Sequence, residues 1–321
     1  MTSVLVVLDH HFPSGPSTEV LTLARSLGET VTAVWLGEEA PGEEALALAG
    51  RYGATNMLVP AFEGLSPHTA AVAAEAVAAA AREVDPRVIL LTSSFAGKEI
   101  AAGLAVLLGR GAVVDATGAR WEGDALVADK TVFGGSWSTT CAQQAPAIVA
   151  LKPTSVAAVA QEAQETETSV TPLTVEFSAR ARAVTLLERT ERAGTGRVGL
   201  TEARTVVVGG RGTDGDFTLV EELADELGGA VGATRVATDE GWIDHSAQVG
   251  QTGVTIAPNL YIGLGVSGAI HHTAGMQAAG TIIAVTDDPD APIFEMADFG
   301  IVGTIEDVIP QTLEELRRPR S

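Results

Sequence analysis

Cysteine occurs once in the 321 residues, at Cys141, so no disulfide can form within the chain, and the residue reads as a small buried thiol rather than a nucleophile. Also missing are apolar runs of the roughly 20 residues that a membrane span requires, although 46% of the residues are hydrophobic. No basic-then-apolar leader follows Met1. The expectation is a soluble, cytoplasmic protein without direct membrane insertion. Positive charge is scarce: 20 Lys and Arg against 41 Asp and Glu leave a net charge of -21. Such a surface repels phosphate backbones and anionic lipid, which argues against a nucleic-acid role.

The shortage of cations is sharpest late in the chain. From residue 201 to the end, nineteen acids face six bases, and lysine is absent. Three of the six are Arg317, Arg318 and Arg320 in the tail, so Arg204, Arg211 and Arg235 are the cations kept between 201 and 316.

The length allows two domains, each with its own core. In the first part, "SVLVVLD" (3–9), "TVTAVWLG" (30–37), "NMLVPA" (56–61) and "VILLTSS" (88–94) read as strands buried on both faces. Between them lie helical runs: "STEVLTLARSLG", opening on a Ser-Thr cap and closing on Gly28, then "EEALALAGRYG" and the alanine-rich "PHTAAVAAEAVAAAAREV". A fourth helix, "GKEIAAGLAVLLG", gives way to short runs such as "ALVADKTVFGG" and "PAIVALKP", expected to be added strands with antiparallel partners. Residues from about 160 to 200 are polar and Gly-broken, and read as a sheet edge followed by a linker. A second alternation starts at "TVVVGG" (205–210) and runs through "DFTLVEELADELGG", "AVGATRVAT", "LYIGLGV", "TIIAVTDD" and "GIVGT". The fold class is therefore α/β, with two doubly wound, mostly parallel-sheet domains, residues 1–195 and 203–316, and a tail at 317–321. Ligands of such sheets settle at the carboxyl ends of the strands.

The loops at those ends carry the candidate residues. Gly210, Gly212 and Gly215 have dinucleotide-fingerprint spacing, with Asp239 near the end of the next strand-like run. A plain tight turn explains the glycines equally, but Arg211 inside the loop suits a phosphate. Thr234 and Arg235 follow a small-residue run; Arg235 is either a surface arginine paired with a nearby acid or a guanidinium beside a group that turns anionic on reduction. In "AQVGQTG" (247–253), Gln248, Gln251 and Thr252 offer amides and a hydroxyl to the edge of a flat heterocycle, or else form a solvated loop. Ser267, Gly268 and Ala269 start a helix with free N–H groups, an anion pocket of the P-loop kind without its lysine. The adjacent His271 and His272 point about 100° apart on a helix and cannot chelate one metal as an i, i+4 pair would; each alone can be a hydrogen-bonded packing residue. "LDHH" (8–11) lacks the further His and acid clusters of a metal site, and "TDDPDAP" (286–292) is a strand-ending turn. Neither a metal nor a catalytic acid, base or nucleophile is expected.

Taken in order, "VVVGGRG", "VGATR", "QVGQTG", "LYIGLGVSGAIHHTAGM", "DPDAPIFEMADFGIVG" and "VIP" resemble the alpha subunit of electron transfer flavoprotein, densely from about 204 to 316 and only in pattern before that. The resemblance implies a heterodimer with a beta subunit and one FAD held mainly by the C-terminal domain. It also implies electron transfer from flavin dehydrogenases, such as the acyl-CoA dehydrogenases of fatty acid beta-oxidation, to a quinone reductase or other acceptor. Carried over, Arg211 approaches the pyrophosphate and flavin, Arg235 lies over the isoalloxazine, and Thr252 hydrogen-bonds near N5. Gln248, Gln251 and the backbone of Val249 and Gly250 line the same pocket, with Thr234 beside them. Ser267, Gly268, Ala269 and Ile270 hold the phosphate and ribityl portion, and His272 sits near N1 and O2, which makes Arg235, Thr252 and His272 the redox-tuning set. His271 stands where Gln is common. Thr286 and Thr304, at the adenosine end, stand where Asn and Asp are usual. Two other readings remain: an NAD(P)-dependent oxidoreductase resting on Gly210 to Gly215 and Asp239, which leaves "QVGQTG" and "SGAIHH" unexplained, and a non-enzymatic nucleotide-binding module.

Overall fold

The computed structural model describes residues 2–9, 12, 15–133, 136–161, 168–190 and 196–318. His10 and His11, part of the linker near 190–203, Arg320 and the end of the tail lie outside them. By contact the chain divides into two compact units, Met1–Thr131 with Ser138–Glu191, and Val132–Trp137 with Arg192–Ser321.

The first unit alternates strand and helix: β1 (Ser3–Leu8), α1 (Gly15–Leu27), β2 (Thr30–Trp35), α2 (Glu43–Arg51), β3 (Asn56–Pro60), α3 (Ala70–Val84), β4 (Val88–Thr92) and α4 (Phe95–Leu108). It continues with β5 (Ala112–Glu122), β6 (Ala125–Val132), β7 (Trp137–Gln144), β8 (Ala147–Leu151), β9 (Ser169–Leu173) and the single-turn α5 (Ala179–Arg182). The sheet order is β7-β6-β5-β8-β4-β1-β2-β3-β9. Alternate residues of β1 enter opposite cores, Val4, Val6 and Leu8 on one face and Leu5 and Val7 on the other, which is why the run is apolar throughout. The alanines of α3 permit close helix packing: a Cβ on Gly103 of α4 would stand 2.8 Å from the Cβ of Ala74.

Two expectations are corrected. Helix α1 begins at Gly15, so Ser17 and Thr18 lie buried inside its first turn rather than capping it. The run "PAIVALKP" becomes β8, which pairs parallel with both β4 and β5; β6, from "ALVADKTVFGG", pairs antiparallel with β5 as expected. The five residues of β8 are all buried, and that depth suits a central parallel strand better than an added hairpin arm. Strand β9 does form the sheet edge, parallel to β3.

The second unit holds β10 (Thr205–Gly209), α6 (Thr218–Glu226), β11 (Ala230–Ala233), α7 (Arg235–Asp239), β12 (Leu260–Leu264), α8 (Ile270–Met276), β13 (Thr281–Thr286), β14 (Phe299–Val302) and α9 (Ile305–Leu316). Its sheet runs β11-β10-β12-β13-β14, and every pair is parallel. Val206, Val208 and Tyr261 fill the core on one face, while Val207, Ile262 and Leu264 meet α6 and α9 on the other. Because β11 lies to one side of β10 and β12 to the other, the strand order reverses there, and the carboxyl ends of β10 and β12 are where a ligand of such a sheet would bind.

Candidate functional site

Backbone hydrogen bonds draw the strand ends of the second unit together. The Thr234 amide donates to the Gly209 carbonyl at 3.0 Å, Gly210 to Leu264 at 2.9 Å, Gly212 to Gly265 at 3.1 Å and Gly265 to Val285 at 2.8 Å. Arg211, Arg235 and Ser267 thus rise from three neighbouring strand ends, all three exposed. The Arg211 guanidinium has no ion-pair or hydrogen-bond partner among the described residues; the Arg211 carbonyl accepts from the Asp214 amide at 3.1 Å. Arg235 pairs with Asp239, Nε to Oδ2 3.1 Å, both side chains well exposed. The Thr234 hydroxyl is buried and without a hydrogen-bond partner among the described residues. Two cations and an unsatisfied hydroxyl fit an anionic, polar ligand.

The glycine motif works differently from a dinucleotide fingerprint. A Cβ on Gly210 would lie 2.3 Å from the Gly265 carbonyl oxygen, and one on Gly212 would lie 2.7 Å from the Gly265 Cα; the glycines serve contact with the neighbouring loop. Asp239 is the last residue of α7, not the end of a strand, and β11 stops at Ala233. An acid bound to Arg235 away from the strand end removes the ribose contact on which the nicotinamide reading rests.

The loop 248–254 is tied to α8 at close range. Gln251 N–H donates to the His271 carbonyl at 2.7 Å, and Ile256 N–H to Gly275 at 2.8 Å. A Cβ on Gly275 would fall 2.4 Å from the Gly250 Cα. Here many of the polar groups are already engaged within the protein. The amides of Val249, Gly250 and Gln251 are spent on Ala233, Val254 and His271, so they do not point N–H groups at a ligand. Gln248 is buried, its amide shared between Thr238 and Thr252, and does not face outward. Thr252 is exposed, as are Gln251, Ser267, Ala269, Ile270 and His271, whereas Gly268 is buried. His271 Nδ1 meets Gln251 Oε1 at 2.9 Å.

His272 is 6% exposed. Its Nδ1 lies 2.9 Å from the Val249 carbonyl, which can only accept, so Nδ1 carries the proton, and Nε2 accepts from the Tyr261 hydroxyl at 2.7 Å. Both nitrogens are engaged inside the domain, and the ring acts on this face through the 249–252 loop rather than by an N–H of its own. Burial pushes its pKa down to about 4 from 6.5, against the opposing pull of the Val249 carbonyl, and pushes the Tyr261 hydroxyl up. The depressed value means the unfolded chain binds the proton first, so stability is full above pH 6.5 and falls as pH drops towards 4, by about 3 kcal/mol at most. His272→Asn, which keeps a donor and an acceptor without titrating, is expected to flatten that part of the pH dependence; urea midpoints across the window check it, and equal slopes for both proteins exclude His272 as the cause.

At the far strand ends, Thr286 closes β13, buried. Thr304 is the N-cap of α9, accepting from the Asp307 amide at 3.2 Å and donating to its carboxylate at 2.9 Å; its hydroxyl is committed to the helix. Tyr261 and Thr238 were not read from the sequence; a nearby acid as partner of Arg235 was one of its two readings, and Asp239 is that acid. The i, i+4 spacing of Arg235 and Asp239 was the one available signal. Among the described residues no His, Cys, Asp and Glu group could hold a metal, and no helix is long and apolar enough to cross a membrane.

The chain matches the model of the electron transfer flavoprotein domain over residues 4–177 and that of the electron transfer flavoprotein FAD-binding domain over residues 199–277. It is 38% identical to an electron transfer flavoprotein subunit alpha of Mycobacterium leprae and 39% identical to one of Mycobacterium tuberculosis, across 99% of each chain. It is 33% identical to Protein FixB of Clostridium saccharobutylicum, over 92% of this chain and 88% of that protein.

Proposed function

Because the chain belongs to the electron transfer flavoprotein alpha-subunit family and binds FAD, we propose that it works as one half of a heterodimer with a beta subunit. In this reading it collects electrons from flavin dehydrogenases, acyl-CoA dehydrogenases among them, and passes them to a quinone reductase or a comparable acceptor. The observation that carries the reading is the convergence of Arg211, Arg235 and the unsatisfied Thr234 hydroxyl at adjoining strand ends of a unit otherwise poor in cations. The flavin supplies the redox chemistry when bound; the protein supplies charge, orientation and hydrogen bonds. Arg235 and Thr252 serve the ring, Arg211 and Ser267 to Ile270 the phosphates and ribityl chain, and Thr286 and Thr304 lie towards the adenosine, where Thr304 acts through its helix cap. His271, Gln251, Val249 and Gly250 shape the loop, and His272 fixes it from beneath.

The exposure of Arg235, Thr252 and Ser267 suits a site that a second subunit completes. Expressed alone, the chain is expected to lose most of its flavin on purification; co-expressed with its beta partner it retains one FAD per pair, read from the blue absorption band and the flavin-to-protein ratio. Stoichiometric FAD on the chain alone contradicts the shared site, and a flavin-free pair contradicts the whole reading.

A further inference from the structure

Gln248 joins two parts of the site that lie apart in sequence. Its Nε2 is 3.0 Å from Thr252 Oγ1, and its Oε1 is 2.9 Å from Thr238 Oγ1. Thr238 Oγ1 also lies 2.9 Å from the carbonyl oxygen of Arg235. Thr238 and Gln248 are buried, whereas Thr252 stands at the exposed end of the chain of groups. A hydroxyl has one proton to give and a carboxamide has both a donor and an acceptor end, so two arrangements leave every member paired. In the first, Gln248 donates to Thr252, Thr238 donates to Gln248, and the Thr252 proton points outward. In the second, the amide is turned over: Thr252 donates inward to Oε1, Nε2 donates to Thr238, and Thr238 gives its proton to the Arg235 carbonyl. Thr252 then presents an acceptor outward. Neither arrangement leaves a buried polar atom of this chain of groups unmatched, which would be costly.

We infer that Gln248 is a positioning residue acting through Thr252: its reversible amide lets one hydroxyl serve as donor or acceptor towards the flavin edge. The inference rests on the reading above, in which Thr252 faces N5. That nitrogen accepts a hydrogen bond in the oxidised ring and carries a hydrogen in the fully reduced ring, so the relay's two polarities match its two needs. Glutamate in place of Gln248 keeps the shape but only accepts when ionised, which forces the Thr252 proton inward for good. Arg235, on the same short helix as Thr238, is held in register by the same chain.

The test is the N5 chemical shift of isotope-labelled oxidised FAD bound to the protein, compared among the parent, Thr252→Val, Gln248→Glu and the double variant. The expected result is that Thr252→Val displaces the N5 signal, Gln248→Glu displaces it in the same direction, and the double variant moves no further than Thr252→Val alone. Acidification that protonates the introduced carboxylate gives it an O–H to donate and restores the parent shift, which a merely structural defect does not do. Should Gln248→Glu fail to fold, Gln248→Met, which cannot donate and accepts only weakly, leaves the Thr252 proton free to turn outward and is expected to keep the parent shift; a displacement as large as that of Thr252→Val overturns the inference. If Thr252→Val displaces the signal and Gln248→Glu does not, or if their displacements add in the double variant, the inference is overturned while the placement of Thr252 stands. An N5 signal unmoved by Thr252→Val removes that placement and the inference together.

Discussion

Gly265→Ala is expected to unfold the second unit at clearly lower denaturant and to release its flavin. Gly265 sits at φ +62°, and a Cβ there would lie 2.6 Å from the Cα of Gly212, 2.8 Å from its carbonyl carbon and 2.9 Å from its nitrogen. All three are backbone atoms, so no side chain can swing aside. The left-handed conformation costs an alanine about 1–2 kcal/mol, and forcing the two loops apart adds about 1–3 kcal/mol. The sum is a large part of the roughly 5–15 kcal/mol by which a domain is stable. The displaced loops carry Arg211 and Ser267, so FAD affinity falls with stability. Gly228→Ala isolates the strain: φ is +60° there, but nothing lies within 4 Å of the added carbon. Denaturation of both variants, followed by flavin fluorescence, decides the matter. Equal midpoints for the two would show that contact between the loops contributes nothing.

That loop contact marks the boundary of what could be read in advance. The strand runs were legible because strands buried on both faces are apolar without alternation, as β1, β4 and β10 to β13 are. The two α/β units followed from the order of those runs. Less legible was the place of β8, which pairs with β4 and β5 across long stretches of intervening chain; local pattern carries no record of which strands become neighbours. Ser17 and Thr18 have the composition of a cap, yet helix α1 starts before them, because residues of suitable type do not by themselves fix where a turn begins.

At the candidate site, residue type drew attention to these loops but could not show which polar groups were already used. Gln248 has the chemistry to meet a heterocycle, and its partners Thr238 and Thr252, ten and four residues away, consume it. His272 lies in the same motif, and Tyr261, eleven residues earlier on β12, engages its Nε2. Such partnerships are set by packing of separate elements, and neither spacing nor propensity registers them. Arg211 and Arg235 were singled out by a different signal, their presence in a stretch nearly empty of cations, and selection by charge does not depend on knowing the fold.

Arg235→Ala is expected to lower the potential of the bound flavin and reduce the yield of its one-electron-reduced form during a dithionite titration. Adding one electron places negative charge on the ring unless a proton follows. A guanidinium about 4 Å away stabilises that charge by about 1 kcal/mol at the dielectric of water and about 4 kcal/mol at an effective value near 20. For a single electron these correspond to about 40 and 170 mV. The side chain of Arg235 is 64% exposed in the chain alone, which places the isolated chain near the lower figure; cover by a second subunit moves it towards the upper one. Protein stability changes little, because the pair with Asp239 is exposed and such pairs contribute about 0–1 kcal/mol. The same pair supplies the opposite test. Asp239 lies 3.1 Å from the guanidinium Nε and offsets part of its field at the ring, so Asp239→Asn is expected to raise the potential that Arg235→Ala lowers. Opposite signs from two adjoining charges cannot come from general loosening of the fold, whereas shifts of the same sign, or an unchanged one-electron yield in Arg235→Ala, would remove Arg235 from the role of setting the potential.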